Sequence, residues 1–220
     1  MATKNLAIFD IDRTLIKGQS QEALLKFIYK KGYIKNCYYI KIIFWFVLYK
    51  LHIVKNPKKI MEYAFSVFGG KSEQEVKEII NEFFNEDLKG RFYGDGIKLV
   101  NELKDKRFRI ILISNAVDVL VEKIAEYLAV NDFRGTTLEV KDGKLTGKIE
   151  GPIVYGVEKS NIVKKYISDN NIELDNVYAY GDHISDVFML ELAKHPFVVN
   201  PSNNLRNIAV KRNWPILIFK

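Results

Sequence analysis

Leu6-Ala7-Ile8-Phe9-Asp10-Ile11-Asp12-Arg13-Thr14 is the stretch that decides how this chain folds. Four apolar residues in a row suit a strand buried on both faces, the habit of a parallel sheet. Two aspartates follow, two positions apart, and on extended backbone such residues point the same way. Ligand sites of open parallel sheets lie at this carboxyl end of the strands. Asp10 and Asp12 can therefore face one pocket, where two carboxylates repel unless a cation sits between them or one holds a proton. Taken alone, the pattern also fits a simple turn.

Outward from that stretch the strand signal recurs at 109–114 (RIILIS), 177–180 (VYAY) and 197–199. Helical patterns fall between or after these strands, at 96–106, 117–129, 158–168 and 185–194. Such alternation predicts an α/β fold with a parallel sheet covered on both faces. Residues 137–140 and 145–149, joined through Asp142-Gly143, read as a β-hairpin. The segment 17–91 breaks the rhythm and reads as helices at 21–31, 38–54, 57–68 and 72–86, the last opened by a Ser72-x-x-Glu75 capping box. The expected organisation is a core of 1–16 and 92–220 with a helical insertion, 17–91, after the first strand.

Composition narrows the class. Of the 220 residues, 48% are apolar and 28% charged, which excludes wholesale disorder. A lone cysteine, Cys37, excludes an internal disulfide framework and fits a reducing, cytoplasmic setting. Residues 1–12 meet two aspartates before any long apolar run, unlike a secretory leader. The net charge of +7 is concentrated: residues 17–59 hold ten lysines against one acid, Glu22, together with nine aromatics. A basic aromatic stretch can attract nucleic acid, an anionic membrane or an anionic substrate, or be a solvated face over a buried aromatic side. Its uncharged run, 42–49, is bounded by Lys41 and Lys50. That is too short to span a bilayer, which needs about 20 apolar residues. An interfacial helix, with lysines beside Trp45, stays open.

Two further strand ends carry chemistry. Ser114-Asn115 offers a hydroxyl and free backbone N–H groups to an anionic oxygen, or else a turn that caps the next helix. Gly181-Asp182-His183-Ile184-Ser185-Asp186 sets two carboxylates four apart around a tight turn, a hard-cation arrangement suited to Mg2+. Asp186 also fits a role at a helix dipole. Together the three strand ends present carboxylate, hydroxyl and carboxylate, as metal-assisted phosphoryl transfer requires.

In that combination the chain resembles the haloacid dehalogenase-like superfamily, nearest to its phosphoserine-phosphatase-like branch, subfamily IB. The matching motifs are DIDRT (10–14), the apolar run ending in Ser114, Lys159 in VEKSN, and GDHISD (181–186), in the family's order across nearly the whole chain. The tail 190–217 is also similar to that of subfamily IB members. The resemblance implies a Rossmann-like core with a helical cap inserted after the first strand. It implies a phosphomonoester phosphatase with Asp10 as nucleophile, forming an aspartyl-phosphate, and Asp12 as general acid/base. Mg2+ would sit between Asp10, the backbone carbonyl of Asp12 and Asp182, supported by Asp186 and Ser185. Ser114, the Asn115 backbone, Lys159 and Thr14 would serve the phosphoryl group. Asp12 favours phosphate-ester cleavage over carbon–halogen hydrolysis, because dehalogenase members lack it. His183 is expected to cap or line the pocket, His195 to be neutral in the chemistry, and His52 to be packed.

The chain departs from phosphoserine phosphatases where they grip the substrate's amine and carboxylate. Gln19 stands about where they carry a glutamate, and no arginine occurs between Arg13 and Arg91. Lysine binds a carboxylate without arginine's bidentate fork. The expected substrate is thus another small phosphorylated compound: a multiply anionic metabolite, a lipid-like phosphate, or a nucleotide stacked on aromatics. The alternatives are a phosphoryl transferase or mutase using the same aspartyl-phosphate, and a membrane-surface lipid-phosphate phosphatase or binding module. Because the charge stands in the insertion and not in the core, weak contact with an anionic membrane is the expected second partner and nucleic acid is disfavoured.

Overall fold

The computed structural model describes residues 5–51 and 57–220. Strand β1 (Leu6–Phe9) lies between β2 (Arg109–Val117) and β6 (Val177–Gly181). Outside β2 runs β3 (Asp132–Thr136), and beyond β6 come β7 (His195–Val199) and β8 (Ile216–Leu217). All five pairings of the order β3-β2-β1-β6-β7-β8 are parallel. This is the α/β core expected from the sequence.

The pleat sorts the central strands between two cores. Leu6, Ile8, Ile111 and Ile113 pack with Val163 and Ile167 of helix α7 (Val157–Asp169). They share that face with α8 (Val187–Leu190) and α9 (Asn203–Arg212), through Met189, Leu190, Leu205 and Ala209. Ala7, Phe9, Ile110 and Leu112 point the other way, onto α5 (Gly94–Asp105) and α6 (Asp118–Leu128). A strand with both faces buried has no polar alternation, which is why LAIF reads as a continuous apolar run.

Between β1 and α5 stand α1 (Ser20–Lys30), α2 (Asn36–Lys50), α3 (Pro57–Phe65) and α4 (Glu73–Glu86). The chain departs and returns side by side: the Lys17 amide donates to the Arg91 carbonyl at 2.8 Å, and Ile16 bridges Phe92. Leu24, Phe27 and Phe83 of these helices join the same apolar cluster as Phe9 and Leu112. The expected hairpin forms as β4 (Leu138–Lys141) and β5 (Lys144–Ile149). It leans on the inserted helices: the Gly70 amide donates to the Leu145 carbonyl at 2.8 Å, and Ser72 bridges Lys144. A Cβ on Gly147, at φ 80°, would stand 2.7 Å from the Ser66 Cα. Only glycine allows that approach.

Several boundaries differ from the sequence reading. The helix expected over 57–68 ends at Phe65 and continues as a 3-10 turn over Ser66–Phe68, where the Ser66 hydroxyl donates back to the Tyr63 carbonyl at 2.8 Å. The helix expected over 185–194 shrinks to α8, because a 3-10 turn (Ile184–Asp186) precedes it and the chain must straighten into β7. β3, β8 and α9 were not expected. The first two are edge strands, DFRGT and a two-residue pair, and α9 buries only Leu205 and Ala209, too thin a stripe to register. The end of the helix expected over 38–54 and His52 lie outside the described residues.

Candidate active site

The sheet's order reverses at β1: the chain steps outward to β2 and β3, then crosses back to β6 on the other side. Open α/β sheets bind ligands at such a switch point, beyond the carboxyl ends of the strands. Phe9 is in register with Tyr180, and the Asp10 amide extends the ladder to the Tyr180 carbonyl at 2.9 Å. Asp10 therefore emerges beside Gly181 and Asp182.

The loop after β1 is tightly wound. The Leu15 and Ile16 amides both return to the Ile11 carbonyl, and the Arg13 amide donates to the Gly18 carbonyl. Arg13 is held at φ 59°, a left-handed conformation uncommon for a non-glycine residue. This winding brings the buried Thr14 hydroxyl to Asp10 Oδ2, 3.3 Å away. It also sets the amide of Ser20, the first residue of α1, on Asp12 Oδ1 at 2.8 Å. The first amides of a helix have no partner within it, so a carboxylate there is doubly favoured.

Lys159 rises from the first turn of α7 and is buried, 3% exposed. Its Nζ donates to Asp10 Oδ1 at 2.5 Å and to Asp186 Oδ1 at 2.7 Å. The second Asp186 oxygen accepts from the His183 amide at 3.1 Å. Asp186 reaches this position because residue 181 is glycine: a Cβ there would stand 2.8 Å from the Asp186 Cβ. Ser185 faces His183, with Oγ 3.1 Å from Nδ1. Asp10, Asp182 and Asp186 are all buried and can bring one carboxylate oxygen each within 4.8 Å of one another.

That crowding dominates the electrostatics. Burial pushes the Asp10 carboxyl up to about 7, with Asp186 and Asp12 adding to the rise and Lys159 opposing it. Burial, then Asp10 and Asp186, raise Asp182 to about 9. Asp12 is also raised by burial, against the Ser20 amide that favours its anion. Burial alone would lower Lys159, but the facing Asp10 and Asp186 outweigh it and hold the ammonium charged. Burial likewise lowers His183. A site with three buried carboxylates and one ammonium is short of positive charge, and an all-oxygen donor set suits a hard divalent cation such as Mg2+.

Ser114 and Asn115 lie on the adjacent strand end, within β2. The Ser114 hydroxyl accepts from the Ala116 amide at 3.1 Å, which leaves its own proton to donate. The Asn115 carbonyl accepts from Thr136 Oγ1 at 3.0 Å and from Gln21 Nε2 at 2.9 Å. Gln21 thereby ties α1 to the strand end, a link that sequence reasoning missed. Gln19 is exposed at the N-cap of α1, without a capping side-chain bond. Among the described residues, the buried Ser20 Oγ and Asn115 Oδ1 have no hydrogen-bond partner. A separate cavity of about 610 Å³, lined by Leu103, Phe108, Tyr178, Tyr180 and Phe197, includes none of the site's aspartates, Lys159, Ser114 or Asn115.

Comparison with known proteins agrees with this geometry. A family described as haloacid dehalogenase-like hydrolase matches residues 7–191. A probable phosphatase of Mycobacterium tuberculosis is 26% identical over 98% of this chain and 76% of its own length. A histidinol-phosphatase of Neisseria meningitidis is 25% identical over 99% of this chain and 100% of its own. Among solved structures, a Bordetella pertussis protein of unknown function superposes with a TM-score of 0.89, at 23% identity, covering 98% of this chain and 99% of its own. A phosphoserine phosphatase captured as a phospho-aspartyl intermediate analogue gives 0.68, also at 23% identity, over 99% and 94%. At those identities the two structures speak for the fold.

Proposed function

Since the chain belongs to the haloacid dehalogenase-like hydrolase family and relatives of it are named probable phosphatase and histidinol-phosphatase, we propose that it hydrolyses a small phosphomonoester through an aspartyl-phosphate on Asp10, with Mg2+ as cofactor. The observation that carries this reading is the buried cluster of Asp10, Asp182, Asp186 and Lys159 at the sheet's switch point. Asp10 attacks phosphorus, its oxygen forming the new P–O bond as the ester P–O bond breaks. Thr14 and Lys159 orient its carboxylate for this.

Asp12 protonates the departing oxygen and in the second displacement takes a proton from the attacking water, which returns Asp10 free. Its raised pKa keeps a proton available nearer neutrality than an ordinary carboxyl would. The Ser20 amide holds it in place, so the position of α1 and the readiness of the acid are linked. The Ser114 hydroxyl and the Asn115 amide donate to phosphoryl oxygens, beside the Lys159 charge. Asp10, Asp182 and the Asp12 carbonyl are the groups that would hold Mg2+. Asp186 supports them, since both its oxygens are already engaged by Lys159 and His183. When bound, the cation supplies charge neutralisation to the transferring phosphoryl group.

The segment 17–91 acts as a cap that selects the substrate. Gln19 is exposed at the start of α1 and uncharged, which favours a substrate other than phosphoserine. The lone Cys37, exposed, fits a reducing, cytoplasmic setting. A panel of phosphate esters, assayed with Mg2+ and after chelation, tests the proposal. Release of phosphate that requires the metal and is abolished by Asp10→Asn supports it. Equal release by Asp10→Asn would sink it.

A further inference from the structure

Helix α2, NCYYIKIIFWFVLYK, contains no acidic residue and is apolar on nearly every side. One side is accounted for. Ile42 is fully buried, Tyr39 stacks on Tyr29 with ring centroids 4.2 Å apart, and the Tyr38 hydroxyl donates to the Tyr63 carbonyl at 2.5 Å. The opposite side is open: Ile40 is 64% exposed, Phe44 57%, Val47 47%, Leu51 62%, and Ile43 37%. At about 3.6 residues per turn, positions 40, 43, 44, 47 and 51 form one continuous stripe. A helix hydrophobic all round is ordinarily buried all round, and a contiguous exposed apolar stripe marks a surface that something covers.

The charge around the stripe says what. Residues 17–59 carry ten lysines and a single acid. Lys26 is paired with Glu22, and Lys31 with Glu82 and Glu86. Lys30, Lys35 and Lys41 are exposed; Lys41 follows Ile40 in sequence, and its Nζ lies 5.2 Å from the centre of the Tyr63 ring. No helix among the described residues is long and apolar enough to cross a membrane. An apolar stripe whose uncharged run, 42–49, is bounded in sequence by Lys41 and Lys50, in a segment with a large lysine excess and on a helix too short to span, has the composition of an element that lies in the interface of an anionic bilayer.

We propose that the outer face of α2, formed by Ile40, Ile43, Phe44 and Val47 and continued by Leu51 just after the helix, docks this protein on anionic membrane surfaces. This goes beyond the catalytic reading and stands independently of it, because none of the five residues belongs to the phosphoryl site. The test is flotation of the full chain with vesicles of phosphatidylcholine alone and of phosphatidylcholine mixed with phosphatidylglycerol, at low and high salt. The wild type floats with the mixed vesicles, less so at high salt, and not with the neutral ones. Phe44→Asp and Val47→Asp each weaken that association about tenfold or more, while Mg2+-dependent hydrolysis of a soluble ester stays at the wild-type rate. Failure to float with mixed vesicles overturns the proposal, as does equal flotation of both variants. Sedimentation as a dimer that Phe44→Asp dissolves, without vesicle binding, overturns it too by assigning the stripe to a second copy of the chain.

Discussion

Lys159 is the one cation within hydrogen-bond distance of both Asp10 and Asp186 among the described residues, and its removal separates two effects. Lys159→Met leaves two buried carboxylates without their counter-charge. Breaking a buried pair of this kind costs about 3–5 kcal/mol, so urea unfolding of the metal-free variant shifts to clearly lower denaturant. Hydrolysis falls about 10²–10³-fold, as for loss of a transition-state donor, measured with saturating Mg2+. Asp12→Asn is expected to behave differently: under the proposed mechanism only the proton donor is lost, so kcat drops about 10²–10⁴-fold while the fold is kept. Asp10, Asp12 and Asp182 stand out in the sequence because strand ends display their side chains in a fixed order. Lys159 is singled out only by its place before the third strand, since residue type alone does not separate it from Lys164 and Lys165. The Ser20 amide on Asp12 and the Gln21 amide on the Asn115 carbonyl leave no such mark. A main-chain donor has no residue type, and a glutamine near a helix start has many other uses.

At the scale of elements, the buried central strands were legible and the edges were not. β1, β2 and β6 are saturated with apolar residues because both faces are covered, whereas β3 has polar and glycine positions that one-sided pairing tolerates. Helices with wide buried stripes, such as α4 and α6, were readable from spacing and caps. The capping box of α4 forms as Ser72 and Glu75 bond reciprocally. Ser72→Ala therefore costs about 1 kcal/mol of stability by thermal or urea unfolding, with hydrolysis unchanged. Gly181→Ala has the opposite profile. Its methyl group would press against the Asp186 side chain and displace it, so ester hydrolysis falls and the apparent affinity for Mg2+, read by titrating activity, weakens with it.

Across the whole molecule, the acid cluster couples stability to pH and, under the proposed function, to the metal. Asp182 is raised from 3.8 to about 9 and Asp10 from 3.8 to about 7. The folded state thus binds protons more tightly than the unfolded chain. The resulting stability is fully present below about 4 and is lost as pH rises through these folded values. Metal-free protein should show a falling melting temperature from about pH 4 to about pH 9. Mg2+ should restore it most at the upper end, where the carboxylates are ionised. Asp182→Asn should flatten the metal-free curve and abolish the metal's effect. A metal-free curve that rises over this window would contradict the electrostatic account. The central claim, that Asp10 carries the phosphoryl group, is tested most directly by mixing Asp12→Asn with a phosphate ester and Mg2+, quenching in acid and mapping the peptides by mass spectrometry. The account predicts one phosphoryl group on the Asp10 peptide, removed by hydroxylamine and absent from Asp10→Asn. Phosphate release by the wild type with the phosphoryl group on another residue would contradict it.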